Sequence, residues 1–211
     1  VFGDLGPDDP AFDVDTPYRP SSPYSASKAA SDHLARSWQR TYGLPVVVTN
    51  CSNNYGPWQN GEKLIPTVIR KALAGADIPI YGTGENVRDW LYVEDHAVGL
   101  ISALTAPVGS TLLFGGRAER ANIDLVRDIC ALLDEKRPGS KPYSEQIAFV
   151  TDRPGHDRRY AVDPSSAERV LGWTQKHTLL QGLGATVDWY LEHGTSDDGN
   201  DRLGLKRGDE S

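Results

Sequence analysis

Tyr24-Ser25-Ala26-Ser27-Lys28 places a phenol and an ammonium four residues apart. On a helix that spacing projects both from one face. A free phenol titrates near pH ~10, too high for a base in the cell, and a fixed positive charge nearby favours the phenolate. The pair is a candidate proton-transfer device for a hydroxyl substrate. A solvated helix face would carry the same two residues at the same spacing. The elements around them must therefore decide.

The pair opens a predicted helix that runs from Pro23 or Tyr24 to about Tyr42. Pro23 suits a first helical position, Ser21 or Ser22 can cap it, and Gly43 followed by Pro45 ends it. Val46-Val-Val-Thr-Asn-Cys51 is β-branched and apolar, so it reads as a buried, parallel strand. Residues 52–61 read as loop, 64–74 as helix with Pro66 in its first turn, 78–81 as extended chain, and 87–93 as an alternating strand. Residues 94–106 read as a helix with Leu100, Ile101 and Leu104 on an apolar stripe. Strand 111–114, helix 122–136 capped by Asn122, strand 147–151 and helices 164–171 and 179–192 follow. Strands alternating with helices predict an α/β fold with a largely parallel sheet. Residues 1–194 read as the folded part; 195–211, rich in Asp and Gly, read as a disordered acidic tail.

The net charge of -7 disfavours a nucleic-acid or anionic-membrane partner. Cys51 and Cys130 lie in apolar segments without metal-ligand spacing, so they read as buried, reduced thiols, and no metal site is expected. No run is long enough to span a bilayer, which points to the cytoplasm. The chain contains no methionine and starts at Val1, which reads as a processed or excised product. No Gly-x-Gly-x-x-Gly follows a strand and opens a helix, so the phosphate-cradling turn of a dinucleotide fold is absent from the sequence.

Six blocks in order resemble the extended short-chain dehydrogenase/reductases: Tyr24-Ser-Ala-Ser-Lys28, Asn50-Cys-Ser-Asn-Asn-Tyr-Gly-Pro57, Glu62-Lys-Leu-Ile-Pro66, Pro79-Ile-Tyr-Gly-Thr-Gly84, Arg88-Asp-Trp-Leu-Tyr-Val-Glu-Asp-His96 and Asp152-Arg-Pro-Gly-His156. Within that family the chain looks most like the nucleotide-sugar 4,6-dehydratases, from about Val1 to His193. The resemblance implies the C-terminal part of a Rossmann-like, doubly wound parallel sheet, interleaved with a small substrate-binding α/β portion. It implies tightly bound NAD as cofactor and dTDP-glucose as substrate, converted to the 4-keto-6-deoxy sugar through transient oxidation at C4. Tyr24 would be the base for the 4-hydroxyl. Lys28 would hold the nicotinamide ribose and keep the phenol acidic. Asn54 would contact cofactor and Asn53 substrate. Lys63, Leu64, Pro79, Ile80 and Tyr81 would line the nucleotide base and ribose. Arg88 and Arg153 would clamp the diphosphate with planar guanidinium forks. Asn122 and His156 match further substrate contacts. By its residues alone Arg88 reads rather as a surface salt bridge to Asp89 or Glu94. Relatives pair as homodimers through two helices, one of them the Tyr–Lys helix, where Leu34 and Trp38 could serve that contact or the core.

The chain departs from the family at its start. Relatives carry an Asp–Glu pair directly before the segment resembling Val1-Phe-Gly3, and that pair expels water across C5 and C6. The 211 residues by themselves are therefore expected not to turn over. Without upstream strands, the apolar edge at Val46-Val-Val is expected to invite aggregation. A 4-epimerase or another nucleotide-sugar dehydratase of the family, and a non-catalytic nucleotide-sugar-binding remnant, remain the competing readings.

Overall fold

The computed structural model describes residues 1–152 and 157–194. The first helix, α1 (Pro23–Tyr42), starts and stops where its sequence signals lie. Ser22 accepts a hydrogen bond from the Ser25 amide, Pro23 occupies the first turn, and Gly43 closes the helix at φ 70°. Strand β1 (Val48–Cys51) begins two residues later than its apolar run suggests; it pairs in parallel with β5 (Thr111–Phe114), Val48 opposite Thr111 and Cys51 opposite Phe114. Among the described residues, no other strand pairs with β1.

The segment expected to be loop holds a second short strand. Strand β2 (Asn53–Tyr55) pairs in parallel with β4 (Val87–Tyr92), Asn53 opposite Trp90 and Asn54 opposite Leu91. Its Asn-rich sequence concealed the strand, because Asn favours turns and its β-propensity is low. Strand β4 also pairs antiparallel with β6 (Glu119–Ala121) and in parallel with β8 (Arg159–Tyr160). The alternation expected in β4 is absent: all its residues after Val87 are buried. A third ladder joins β3 (Ile78–Tyr81) to β7 (Ile147–Val150), again in parallel. The α/β class is as expected, but the ladder is divided into three sheets among the described residues.

Helices α2 (Leu64–Leu73), α4 (Asn122–Lys136) and α6 (Leu179–His193) build the main core. Ile65, Val68 and Ile69 of α2 meet Ile78 and Ile80 of β3, Val126 and Ile129 of α4, and Leu183 and Val187 of α6. The spacing i, i+3, i+4 supplies each helix with one apolar stripe. Asn122 is not the cap of α4: Ala121 holds that position and Asn122 is the first helical residue.

Helix α3 (Val93–Ala103) turns the opposite way from its predicted stripe. Leu100, Ile101 and Leu104 are exposed, whereas Asp95, Gly99 and Ala103 face inward. The helix sits so close to β5 and α5 (Ser165–Leu171) that only small side chains fit. A Cβ on Gly99 would lie 2.6 Å from the Phe114 ring and 3.0 Å from Trp173 Nε1. Asp95 fixes the start of α3: its carboxylate accepts from the Lys176 and His177 amides at 3.0 and 2.9 Å, and its carbonyl accepts from Trp173 Nε1 at 3.0 Å. Hydrophobicity alone picked the wrong face because close approach selects for size.

Gly99→Val is expected to cost about 1–3 kcal/mol, the range for overpacking a filled core. Denaturant titration of the variant checks this, and a shift in midpoint below a tenth of a molar would contradict the packing at Gly99.

Candidate active site

Two groups of residues emerge. The first lies where α1 meets the carboxyl end of β1. Tyr24 is in the first turn of α1, 74% exposed, and Lys28 follows one turn later on the same face. The same row meets the strand one turn beyond Lys28, where Asp32 Oδ2 accepts from Asn50 Nδ2 at 2.9 Å. Burial pushes the Cys51 thiol up, while the Lys28 charge pulls the other way. Ligands bind at the carboxyl ends of parallel strands, and the Asn50 that Asp32 holds is one residue from that end.

Asn54 adds a second feature there. Its amide nitrogen donates to Cys51 Sγ at 3.0 Å and to the Ser52 carbonyl at 3.2 Å, and its backbone carbonyl accepts from Gln59 Nε2 at 2.7 Å. The Ser52 carbonyl can only accept, so the amide orientation is set by chemistry. That leaves Asn54 Oδ1 buried without a hydrogen-bond partner. An unsatisfied buried carbonyl costs about 1–3 kcal/mol, so a ligand N–H donor at this point would be stabilising. Asn53 is half-buried beside it.

What holds α1 in place was not foreseen. Only Ala29 of its side chains is buried. Polar bonds do the rest: Asp32 Oδ2 accepts from Tyr18 Oη at 2.9 Å and from Asn50 Nδ2 at 2.9 Å. Arg36 Nη2 donates to Tyr18 Oη at 3.2 Å and to Thr111 Oγ1 at 3.1 Å. Asp32 and Arg36 continue the i+4 row of Tyr24 and Lys28, a signal the sequence contained.

The second group surrounds the turn after β3. Gly84 has φ 74°, and a Cβ there would meet Ile80 Cγ2 at 2.7 Å and Ile123 Cβ at 2.8 Å. The Asn122 and Ile123 amides donate to the Asn86 and Gly84 carbonyls, both at 3.0 Å, so the start of α4 is sewn to this turn. Asn122 Oδ1 is a second buried oxygen without a hydrogen-bond partner. Pro79 is half-buried, Ile80 buried and Tyr81 exposed along β3. Lys63 is exposed at the start of α2, and Leu64 is half-buried and packs on the main core.

Arg88 is not the surface ion-pair residue that its sequence neighbours allow. It is buried, and it donates to the Val87 and Asp157 carbonyls, both at 2.7 Å. Asn86 Nδ2 donates to the same Asp157 carbonyl at 3.0 Å. Asp89 instead accepts from the Gly116 and Ala118 amides at 3.0 and 2.8 Å. A cleft of about 700 Å³ opens here, lined among others by Thr83, Glu85, Asn86, Asp152 and Arg158. Arg153 and His156 lie outside the described residues, as does the 195–211 segment.

The two groups are joined through the ladder: β2, which carries Asn53 and Asn54, pairs with β4, which carries Arg88. The intervening segment is pinned to α6 by Tyr190 Oη, which donates to the Gln59 carbonyl at 3.1 Å.

An α/β chain with a Tyr–Lys helix over a parallel strand end defines a class, and comparison with known proteins assigns it. A family model described as GDP-mannose 4,6 dehydratase matches residues 1–186, and the chain belongs to that family. It is 57% identical over 198 residues to a dTDP-glucose 4,6-dehydratase of Xanthomonas campestris pv. campestris, covering 92% of this chain and 56% of the relative. It is 56% identical over 202 residues to dTDP-glucose 4,6-dehydratase 1 of Escherichia coli K12, with the same coverage of 92% and 56%. The solved dTDP-glucose 4,6-dehydratase of Bacillus anthracis in complex with NAD superposes with a TM-score of 0.83 at 43% identity, over 92% of this chain and 59% of that one. A Streptomyces venezuelae dTDP-glucose 4,6-dehydratase with NAD bound gives a TM-score of 0.82 at 38% identity, over 98% and 60%. The chain thus spans a little over half the length of these relatives.

Both cysteine thiols are expected to alkylate slowly in the folded protein. Burial pushes Cys51 up and Cys130 up to about 11, so little thiolate forms at neutral pH. Mass spectrometry after iodoacetamide treatment should show modification rising with pH and rising sharply on denaturation. Rapid labelling of Cys51 in the folded protein at pH 7 would contradict its surroundings.

Proposed function

We propose that this chain is the catalytic-tyrosine and nucleotide-binding part of a dTDP-glucose 4,6-dehydratase. The observation that supports the reading is the Tyr24–Lys28 row of α1, tied to β1 through Asp32 and Asn50, in a chain that shares more than half its residues with such enzymes. Tyr24 takes the proton from the sugar 4-hydroxyl as C4 becomes a ketone. Lys28 holds the cofactor ribose and keeps a positive charge beside the phenol. Asn54 Oδ1, buried and without a hydrogen-bond partner, suits the N–H of a carboxamide such as that of nicotinamide. NAD, when bound, would supply the hydride acceptor for C4 and the hydride donor for C6. The residues present fit the nicotinamide end of that cofactor.

The second group binds the other end of the substrate. Lys63, Leu64, Pro79, Ile80 and Tyr81 line the base and ribose, with Asn53 and Asn122 as polar contacts. Arg88, with Arg153 and His156 by resemblance, holds the diphosphate. Such remote contacts orient the reacting carbon without taking part in the chemistry. Ionisation of the C5–H next to the new ketone, and departure of the 6-hydroxyl, need a carboxylate and a carboxylic acid. In the full-length protein, α1 also pairs two subunits through the exposed Leu34, Trp38 and Tyr42.

Tyr24→Phe in the full-length protein removes only the phenolic hydroxyl. Formation of the 4-keto-6-deoxy sugar should fall by about 10²–10⁴-fold, the share of a general base, with thymidine diphosphate affinity kept. A parental rate would overturn the assignment. For the subunit contact, Trp38→Glu should move the full-length protein from dimer to monomer by light scattering. An unchanged mass would remove α1 from the interface.

A further inference from the structure

Resting on the proposed role of Tyr24, we infer that Tyr18, Asp32 and Arg36 form a register lock that sets the height of the Tyr–Lys face on β1, with Asp32 and Tyr18 as positioning residues for the reaction. The need for such a lock follows from how α1 is seated. A helix is normally fixed along its axis by side chains that fill grooves on its neighbour. Helix α1 buries Ala29 alone, and one methyl group is a poor stop against sliding. A slip of one residue moves the helix about 1.5 Å, and a misplacement of about 1 Å can cost 10²-fold in rate.

Hydrogen bonds are directional, and here they act at two successive turns. Asp32 lies one turn beyond Lys28 and two beyond Tyr24 on the same row. One of its oxygens accepts from Asn50 on β1 and from Tyr18 on the preceding segment, both at 2.9 Å. Asn50 is the immediate neighbour of Cys51, the last residue of β1. One turn further, Arg36 bonds Thr111 on β5 and Tyr18 Oη. Helix, both strands of the parallel pair and the N-terminal segment thus converge on one phenol. The Tyr18 ring is itself immobilised: it packs edge-on to Phe2 at 5.1 Å, and the Arg36 guanidinium lies 5.4 Å from its centroid. Burial and its bond to Asp32 push the Tyr18 phenol up to about 12, so it remains a neutral donor across any working pH. No part of this network belongs to the nucleotide-binding group, which is carried by α2, β3, β4 and α4.

The test uses the full-length, cofactor-loaded protein with Tyr18→Phe and Asp32→Asn. Tyr18→Phe keeps the ring and removes only the shared hydroxyl, so it decides the matter should Asp32→Asn fail to fold. Turnover per loaded site should fall about 10–100-fold, with KM and thymidine diphosphate affinity within about 2-fold of the parent. Amide hydrogen exchange, read separately from activity, should accelerate in α1 and not in α2 or α4. A lowered melting temperature with parental turnover per loaded site would show a purely structural role and overturn the inference. So would parallel loss of turnover and nucleotide binding in both variants. Tyr24→Phe, run alongside, separates the two claims. If it alone abolishes turnover, the base stands and the lock falls; if it is fully active, the base assignment itself is wrong.

Discussion

A helix that buries one alanine must be held by something other than hydrophobic packing, and in this protein it is held by a carboxylate. The Asp32 side chain gathers a phenol and an amide at 2.9 Å each. Hydrogen bonds to a charged acceptor are worth about 1.5–3 kcal/mol, roughly twice a neutral one. Most of the length of α1 is exposed, so its contribution to the core is small. Its position, in contrast, decides where Tyr24 and Lys28 stand. The fold therefore separates two tasks. Apolar contacts among α2, α4, α6 and β3 supply stability, and polar contacts between α1, β1 and β5 supply placement.

The same division applies to the second group. Arg88 is buried and donates to the Val87 and Asp157 backbone carbonyls. A buried charge is tolerated only when hydrogen-bonded, and these carbonyl oxygens help to meet that need. Asn86 binds the same Asp157 carbonyl. Glycine closes the geometry: the approach of Gly84 to Ile80 and Ile123 lets the turn after β3 touch the start of α4, where Asn122 lies.

Much of this was legible in the residues. Ser22, Pro23 and Gly43 announced both ends of α1, and β-branched Val46-Val-Val announced the parallel strand, to within two residues. The Tyr–Lys row and the Asn pair were the candidate site residues that the sequence offered. What escaped was whatever depended on neighbours distant in sequence. Strand β2 is coded by Asn-Asn-Tyr, which says turn until β4 is beside it. Helix α3 presents Gly99 and not Leu100 to the core, because Phe114 and Trp173 leave no room for a larger residue. The Asp32 anchor lay on the predicted row, but its partners Tyr18 and Asn50 are 14 and 18 residues away. Arg88 was misjudged as a candidate surface ion pair since its adjacent acids, Asp89 and Glu94, suggested a local partner. Asp89 is occupied by the Gly116 and Ala118 amides.

The account rests on a phenol standing within reach of a sugar hydroxyl. A crystal structure of the full-length protein with NAD and a non-reacting dTDP-hexose measures that separation directly. It should place Tyr24 Oη about 2.6–3.2 Å from the oxygen on C4, the range in which a base can take the proton. A sugar seated with C4 more than roughly twice that far from Tyr24, or with another side chain in its place, would contradict it.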